Sequence, residues 1–220
     1  MKKPPKRGRP VASDTRDARE SLLDAAVALF AERGVAATTA VDIATRAGVT
    51  PAMVHYYFRG RDRLLDAVVD ERLGRFVAHV LAGPIDRQAS ATETLAAIAA
   101  PVFEAARRFP WLPPIWIREI AAEGGLLRER ALKHLPAAAI GGVIERLAAA
   151  RKRGEIAPDV DPRLVFVSMM GLTMFALATQ AVWRRLPGAD AITLDDLQRH
   201  ATAMLTSGLG RPAAPTRRKR

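Results

Sequence analysis

The stretch that most constrains the fold is residues 39–58, TAVDIATRAGVTPAMVHYYF. It reads as two short helices joined by a turn too tight to belong to anything but an α-helical unit. Thr39 supplies a hydroxyl that can accept a first-turn backbone N–H, the role of a helix N-cap. Ile43, Ala44 and Ala47 then fall on one helical face. Gly48 suits the left-handed conformation that ends a helix and turns the chain. Thr50 caps the next helix, with Pro51 at its first position, where a missing N–H costs nothing. Val49, Val54 and Phe58 give that second helix an apolar side. A small residue at Ala44, glycine at Gly48 and an aliphatic at Val54 is the spacing of a helix-turn-helix, whose second helix enters the DNA major groove.

The flanks extend the pattern. "LFAERG" (Leu29 to Gly34) closes a preceding helix, Thr38-Thr39 follows, and "DIATRAGVT" runs from Asp42 to Thr50. "YYF" (Tyr56 to Phe58) and "RDRLL" (Arg61 to Leu65) complete it. On these residues the segment from Leu22 to Leu65 resembles the N-terminal domain of the tetracycline-repressor (TetR/AcrR) family of regulators. The resemblance implies a homodimeric repressor on a near-palindromic operator. It also implies a larger helical domain that encloses a small molecule, whose binding spreads the two DNA-reading heads.

The remaining chain is consistent with an all-α fold: a three-helix helix-turn-helix head plus a larger helical effector and dimerisation domain, about nine helices in total. No strand-like alternation and no internal repeat is found. The expected division is a disordered basic arm at 1–12, a DNA-binding head at 13–60, a ligand-binding and dimerisation domain at 61–210 with 61–81 as a linking helix, and a disordered basic tail at 211–220. A first helix is expected over 15–33, capped by Ser13 or Asp14. Gly83-Pro84 marks a boundary, Ser90 to Glu93 reads as a capping box, and Gly124-Gly125, Pro136 and Gly141-Gly142 punctuate the middle. Asp161-Pro162 and Thr193 open the last two long helices.

Charge is concentrated at the ends. The chain carries a net +11, of which residues 1–10 and 211–220 hold +5 each, with no acid in either. The 200 residues between are close to neutral. Such tails attract polyanions. Within the first, Lys6-Arg7-Gly8-Arg9-Pro10 resembles an AT-hook core, an extended Arg-Gly-Arg that fits a narrow minor groove. Simple phosphate attraction by Arg7 and Arg9 is the alternative, and both readings stand. There is no cysteine, which excludes disulfides and thiol chemistry, and no apolar stretch follows the charged N-terminus, so a reducing, cytoplasmic location is expected.

Candidate DNA contacts are Thr50, Ala52, Met53, His55 and Tyr56 on the second helix of the motif. Thr38 and Thr39 are candidate phosphate donors. The resemblance adds Arg61, at a position where the family usually has a phosphate-contacting lysine. It also exposes two departures: Pro51-Ala52 stands where a basic residue and glycine are common, and His55 where tyrosine is. Pro51 and Ala52 offer no side-chain hydrogen bond to a base, so readout rests on thymine-methyl contacts, His55 or Tyr56, and DNA deformability.

For the effector chamber the candidate lining residues are Phe103, Phe109, Trp116, Glu119, His134, Met170 and Met174; core packing is the competing role for each. Leu164 to Trp183 is twenty residues without a charge. Its length would fit a membrane span, but Ser168, Gly171, Thr173, Thr179 and Gln180 argue for a soluble helix buried by self-association. The resemblance places the dimer interface at 162–185 and 193–207. The expected partners are therefore double-stranded DNA, a second copy and an unidentified small molecule, with no membrane and no cofactor. His55, His79, His134 and His200 have no metal spacing, and no phosphate loop or nucleophile elbow is present, so an enzyme is not expected. A structural organiser of A·T-rich DNA, acting without an effector, is the alternative function.

Overall fold

The computed structural model describes residues 12–81 and 89–208. The basic arm with Arg7 and Arg9, the Gly83-Pro84 boundary and the basic tail lie outside them. The described residues are helical with no strand.

Helix α1 (Ala12–Arg33) starts three residues earlier than its expected start at 15 and ends at Gly34, whose φ of +87° is open to glycine and costly for other residues. Helix α2 (Ala40–Arg46) opens on a capping box. The Asp42 N–H donates to Thr39 Oγ1 at 3.1 Å, and the Thr39 N–H donates to Asp42 Oδ2 at 2.9 Å. Helix α3 (Pro51–Phe58) follows after Gly48 at φ +70°. Helix α4 spans 61–81: Arg61–Val68, a π-helical turn Val69–Leu73, then Gly74–Leu81. Leu22, Phe30, Ile43, Ala44, Val54, Phe58, Leu64 and Val68 are buried together, so the first four helices close on one core.

The body begins with α5 (Ala91–Arg108), capped by the expected Ser90–Glu93 box. Helix α6 spans 112–121, an α-helical turn Leu112–Ile115 running into a π-helical turn Trp116–Ala121. Pro136 separates α7 (Arg128–Leu132) from α8 (Ala137–Lys152) as expected, whereas Gly141-Gly142, also expected to punctuate the chain, stays inside α8. Helix α9 spans 162–183, capped by Asp161, with a π-helical turn at Gly171–Phe175 and a break at Thr179. Helix α10 (Leu194–Ser207) is capped by Thr193 and Asp196. Among the described residues no helix is long and apolar enough to cross a membrane.

The head core continues without interruption into Val102 of α5, Leu112 and Ile115 of α6, and Leu127. One buried carboxylate reinforces that join. Glu119 accepts the Val35 N–H from the α1–α2 turn at 2.9 Å through Oε1, and the Leu126 N–H at 3.3 Å through Oε2. Neighbouring Arg118 donates to the Ala31 carbonyl at the end of α1 (3.2 Å). Glycines allow both approaches. A Cβ on Gly34 would lie 3.1 Å from the Glu119 carboxylate, and one on Gly125 would lie 2.3 Å from the Glu119 carbonyl oxygen.

Helix α4 is also gripped from two sides. Arg19 of α1 meets Glu71 (2.5 and 2.7 Å), and Arg72 meets Glu20 and Asp24 (both 2.9 Å). From α7, Arg130 meets Asp66 (2.7 Å) and Asp62 (3.1 Å), and His134 beyond its end meets Asp70 (2.8 Å). Truncating Glu119 to alanine removes the acceptor of two backbone N–H groups. An unsatisfied buried donor costs about 1–3 kcal/mol, so Glu119→Ala should lose about 2–4 kcal/mol in urea unfolding. Glu119→Gln keeps one acceptor and should lose roughly half as much.

Candidate nucleic-acid interface and ligand cavity

Helix α3 buries Val54 and Phe58 and turns Ala52, His55 and Tyr56 to the exterior. Thr50, at its N-cap, is exposed and makes no side-chain capping bond, so its hydroxyl is available to a partner. Tyr56 is 70% exposed and stands edge-on to Tyr57, ring centroids 5.0 Å apart. Met53 is half-buried against the head core. The outward face of α3 therefore brings Thr50, Ala52, His55 and Tyr56 together, with Met53 at its edge. Thr39 is exposed at the start of α2.

Two expected phosphate donors are placed differently. Thr38 is buried; its hydroxyl donates to the Gly34 carbonyl (2.8 Å) and its N–H to the Val35 carbonyl (3.2 Å), so both donors face inward. Arg61 turns back on the head, donating to the carbonyls of Thr38 (2.9 Å) and Val35 (2.6 Å). Both residues hold the α1–α2 turn from which Thr39 projects. For Arg61 sequence spacing carries no sign of this, because its two acceptor carbonyls lie 23 and 26 residues away along the chain.

The Thr39 hydroxyl and backbone N–H, with the Arg33 guanidinium 2.8 Å away, hold the Asp42 carboxyl down at about 2. A depressed carboxylate adds stability above its unfolded value and loses it as pH falls toward the folded one.

In the body, α4, α5, α8 and α9 enclose an apolar cavity of about 140 Å³. Its walls include Phe76, Ile98, Trp116, Val143, Phe166 and Met170. A second cavity of about 240 Å³ lies beside it, lined among others by Val69, Trp116, Ile120, His134 and Phe166. Phe76, Val77, Trp116, Leu135 and Phe166 belong to both. Of the expected lining residues, Trp116 and Met170 reach the first cavity, and Trp116 and His134 the second. Phe103 instead packs with Leu177 and Ala201, Phe109 lies against Trp111 (5.7 Å), Met174 is buried in the head–body core, and Glu119 bridges Val35 and Leu126. The α8 wall, Ile140, Val143, Ile144 and Leu147, was missed although its i, i+3, i+4, i+7 spacing is legible in the sequence.

The comparisons with known proteins fit this geometry. Residues 22–68 match the family described as bacterial regulatory proteins, tetR family. Residues 22–68 are thus a tetR-family domain. It is 38% identical over 89 residues to the HTH-type transcriptional regulator BetI of Brucella anthropi, a match covering 40% of this chain and 45% of that one. The aligned part is thus less than half of that relative's length. Similarity to the HTH-type transcriptional repressor KstR2 of Rhodococcus jostii is lower, 28%, but extends over 88% of this chain and 92% of the relative. The fold is shared with the solved regulator FadR of Bacillus subtilis in complex with stearoyl-CoA, TM-score 0.64 at 23% identity, covering 86% and 98% of the two chains.

The capping box gives the head a measurable acid sensitivity. Protection of the first-turn amides of α2 should decline as pH falls from about 4 towards 2, followed by amide exchange. Asp42→Asn should abolish that dependence and lower protection at neutral pH.

Proposed function

We propose that the protein is a homodimeric transcriptional repressor that binds a near-palindromic operator through α3 and is released by a small molecule held in the body. The exposed α3 face of Thr50, Ala52, His55 and Tyr56 supports the DNA half of this reading. A repressor relative matched over most of its length supports the direction of regulation.

The single observation that carries the dimer is an unpartnered apolar stripe on α9. Leu164, Val167, Phe175 and Val182 are 59, 62, 57 and 70% exposed, and Met204 of α10 is also exposed. Large residues recurring along one helix face and left open to water mark an association surface. A two-fold partner set on α9 and α10 would cover them and place two heads for two half-sites.

The small-molecule half rests on the cavity and on α6. Trp116 forms a wall of both cavities, and the same π-helical turn carries Arg118 and Glu119, which hold the end of α1 and Val35. A ligand that displaces Trp116 shifts that grip and with it the head. The FadR structure with stearoyl-CoA is a case of this fold with a small molecule bound.

Selection from random duplex DNA tests the reading: two inverted half-sites are expected, and an asymmetric or purely A·T-rich product would favour an organiser of DNA. Phe175→Asp should give a monomer by sedimentation and lose operator binding. Tyr56→Ala should weaken operator binding about tenfold, the loss of one base contact, while leaving the dimer intact.

A further inference from the structure

Helix α10 runs away from the head. Its first turns lie beside the end of α5: Arg107 donates to Gln198 (3.0 Å) and pairs with Asp195, and Ala201 packs with Phe103 and Ala106. Its last turn lies beside the start of α5, where Leu205 packs with Ala91, Leu95 and, from between α8 and α9, Ile156. Helices α5 and α10 are therefore antiparallel. The end of α5 is the one that joins the head core, through Val102 and Ala105. Hence α10 starts on the head side of the body and ends at the opposite pole. From Ala105 back to Ala91, α5 rises about 21 Å, and the head adds at least one helix diameter of about 10 Å. Ser207 thus stands on the order of 30 Å from the outward face of α3.

Arg211, Arg217, Arg218, Lys219 and Arg220 follow, with no acid in 211–220. A chain of that length spans at most about 40 Å fully extended, and most of its paths end within about 20 Å of their start. The far pole does not neutralise these charges. Glu93 is taken by Ser90, Glu155 by Arg153 and Asp161 by Arg163, while Lys152 adds an exposed cation. Asp159 is left as a single open acid there among the described residues. Three of residues 217–220 are arginines, whose planar forks match phosphate oxygens. Residues 209–220 hold no aromatic side chain and one large aliphatic, Leu209, which gives little to insert into a lipid surface.

We propose that the basic stretch 211–220 is a second nucleic-acid-binding element, directed away from the operator, so that one dimer holds two duplexes at once. The heads hold the first. The stretches at the far pole hold the phosphates of another duplex without regard to its sequence. The proposal takes the DNA-binding heads and the two-fold pairing from the reading above and adds a second duplex to them. Any pairing that sets both heads on one duplex turns both α10 helices away from it, so each copy adds five cations on the far side.

The test uses the full-length protein and two short duplexes of random sequence that carry different fluorophores. Particles bearing both colours are counted by fluorescence cross-correlation and should be present at about 50 mM salt. Affinity for the second duplex should fall about a hundredfold by about 200 mM, the salt dependence of roughly four neutralised phosphates. A variant carrying Arg217→Gln, Arg218→Gln, Lys219→Gln and Arg220→Gln leaves every described helix intact, so its thermal midpoint should not move. It should lose two-colour particles on the order of tenfold, while its affinity for the operator selected above changes less than about threefold.

Two-colour particles that persist in this variant would overturn the proposal. So would an operator affinity that falls as steeply as the two-colour count, since the stretch would then lie on the operator itself. Attachment of the operator-loaded protein to phosphatidylglycerol vesicles, with no second duplex taken up, would assign the stretch to a lipid surface and also overturn it. Two-colour particles without inverted half-sites in the selection would leave this proposal standing and defeat the repressor reading. Half-sites without two-colour particles would do the reverse.

Discussion

The fold depends on one carboxylate that two segments of backbone share. Glu119 sits buried on the π-helical turn of α6 and takes an N–H from Val35 on one side and from Leu126 on the other. Each donor arrives next to a glycine, Gly34 or Gly125, because any side chain there would meet Glu119 itself. The α1–α2 turn and the α6–α7 turn are thereby held against the same residue. The apolar core around Phe30, Leu112, Ile115 and Leu127 closes over the join. The head is not self-sufficient at this point: its Val35 N–H is satisfied by a carboxylate of the body.

That arrangement bears on how a cavity can influence a DNA-reading surface. Trp116 and Glu119 are three residues apart on one irregular turn, so a wall of the cavity and the grip on the head are mechanically one object. Two further π-helical turns, in α4 and α9, stand where these helices border the cavities and the core. A π-helical turn disturbs the regular bonding ladder and is commonly found at functional sites. Helix α4 adds a second connection, with α1 bound through Arg19–Glu71 and Arg72, and α7 bound through Arg130. Acidic residues on opposite sides of α4 thus take partners from both head and body.

How much of this was legible in the sequence follows from the range of each interaction. The head was read from Thr39, Gly48, Thr50 and Pro51, whose signals act within one or two turns of helix, and the caps at Ser90, Asp161 and Thr193 were legible for the same reason. Thr38 and Arg61 were read as outward donors, but carbonyls at Gly34, Val35 and Thr38 take them, and the Arg61 contacts span more than twenty residues. Glu119 meets Val35 across 84 residues, a separation that no local pattern encodes. Phe103, Phe109 and Met174 show the limit for cavities. An apolar side chain looks alike in sequence whether it borders space or another side chain, and the packing of α5 against α10 decides for Phe103.

The central claim is that head and body are one cooperative unit joined at Glu119, and native-state amide exchange of the full-length protein tests it most directly. Slowly exchanging amides of the head core, such as Ile43 and Val54, should open with the same free energy as those of α5 and α6, and Glu119→Ala should lower all of them together. Head amides that open well below the body's free energy, or that do not respond to Glu119→Ala, would contradict the account.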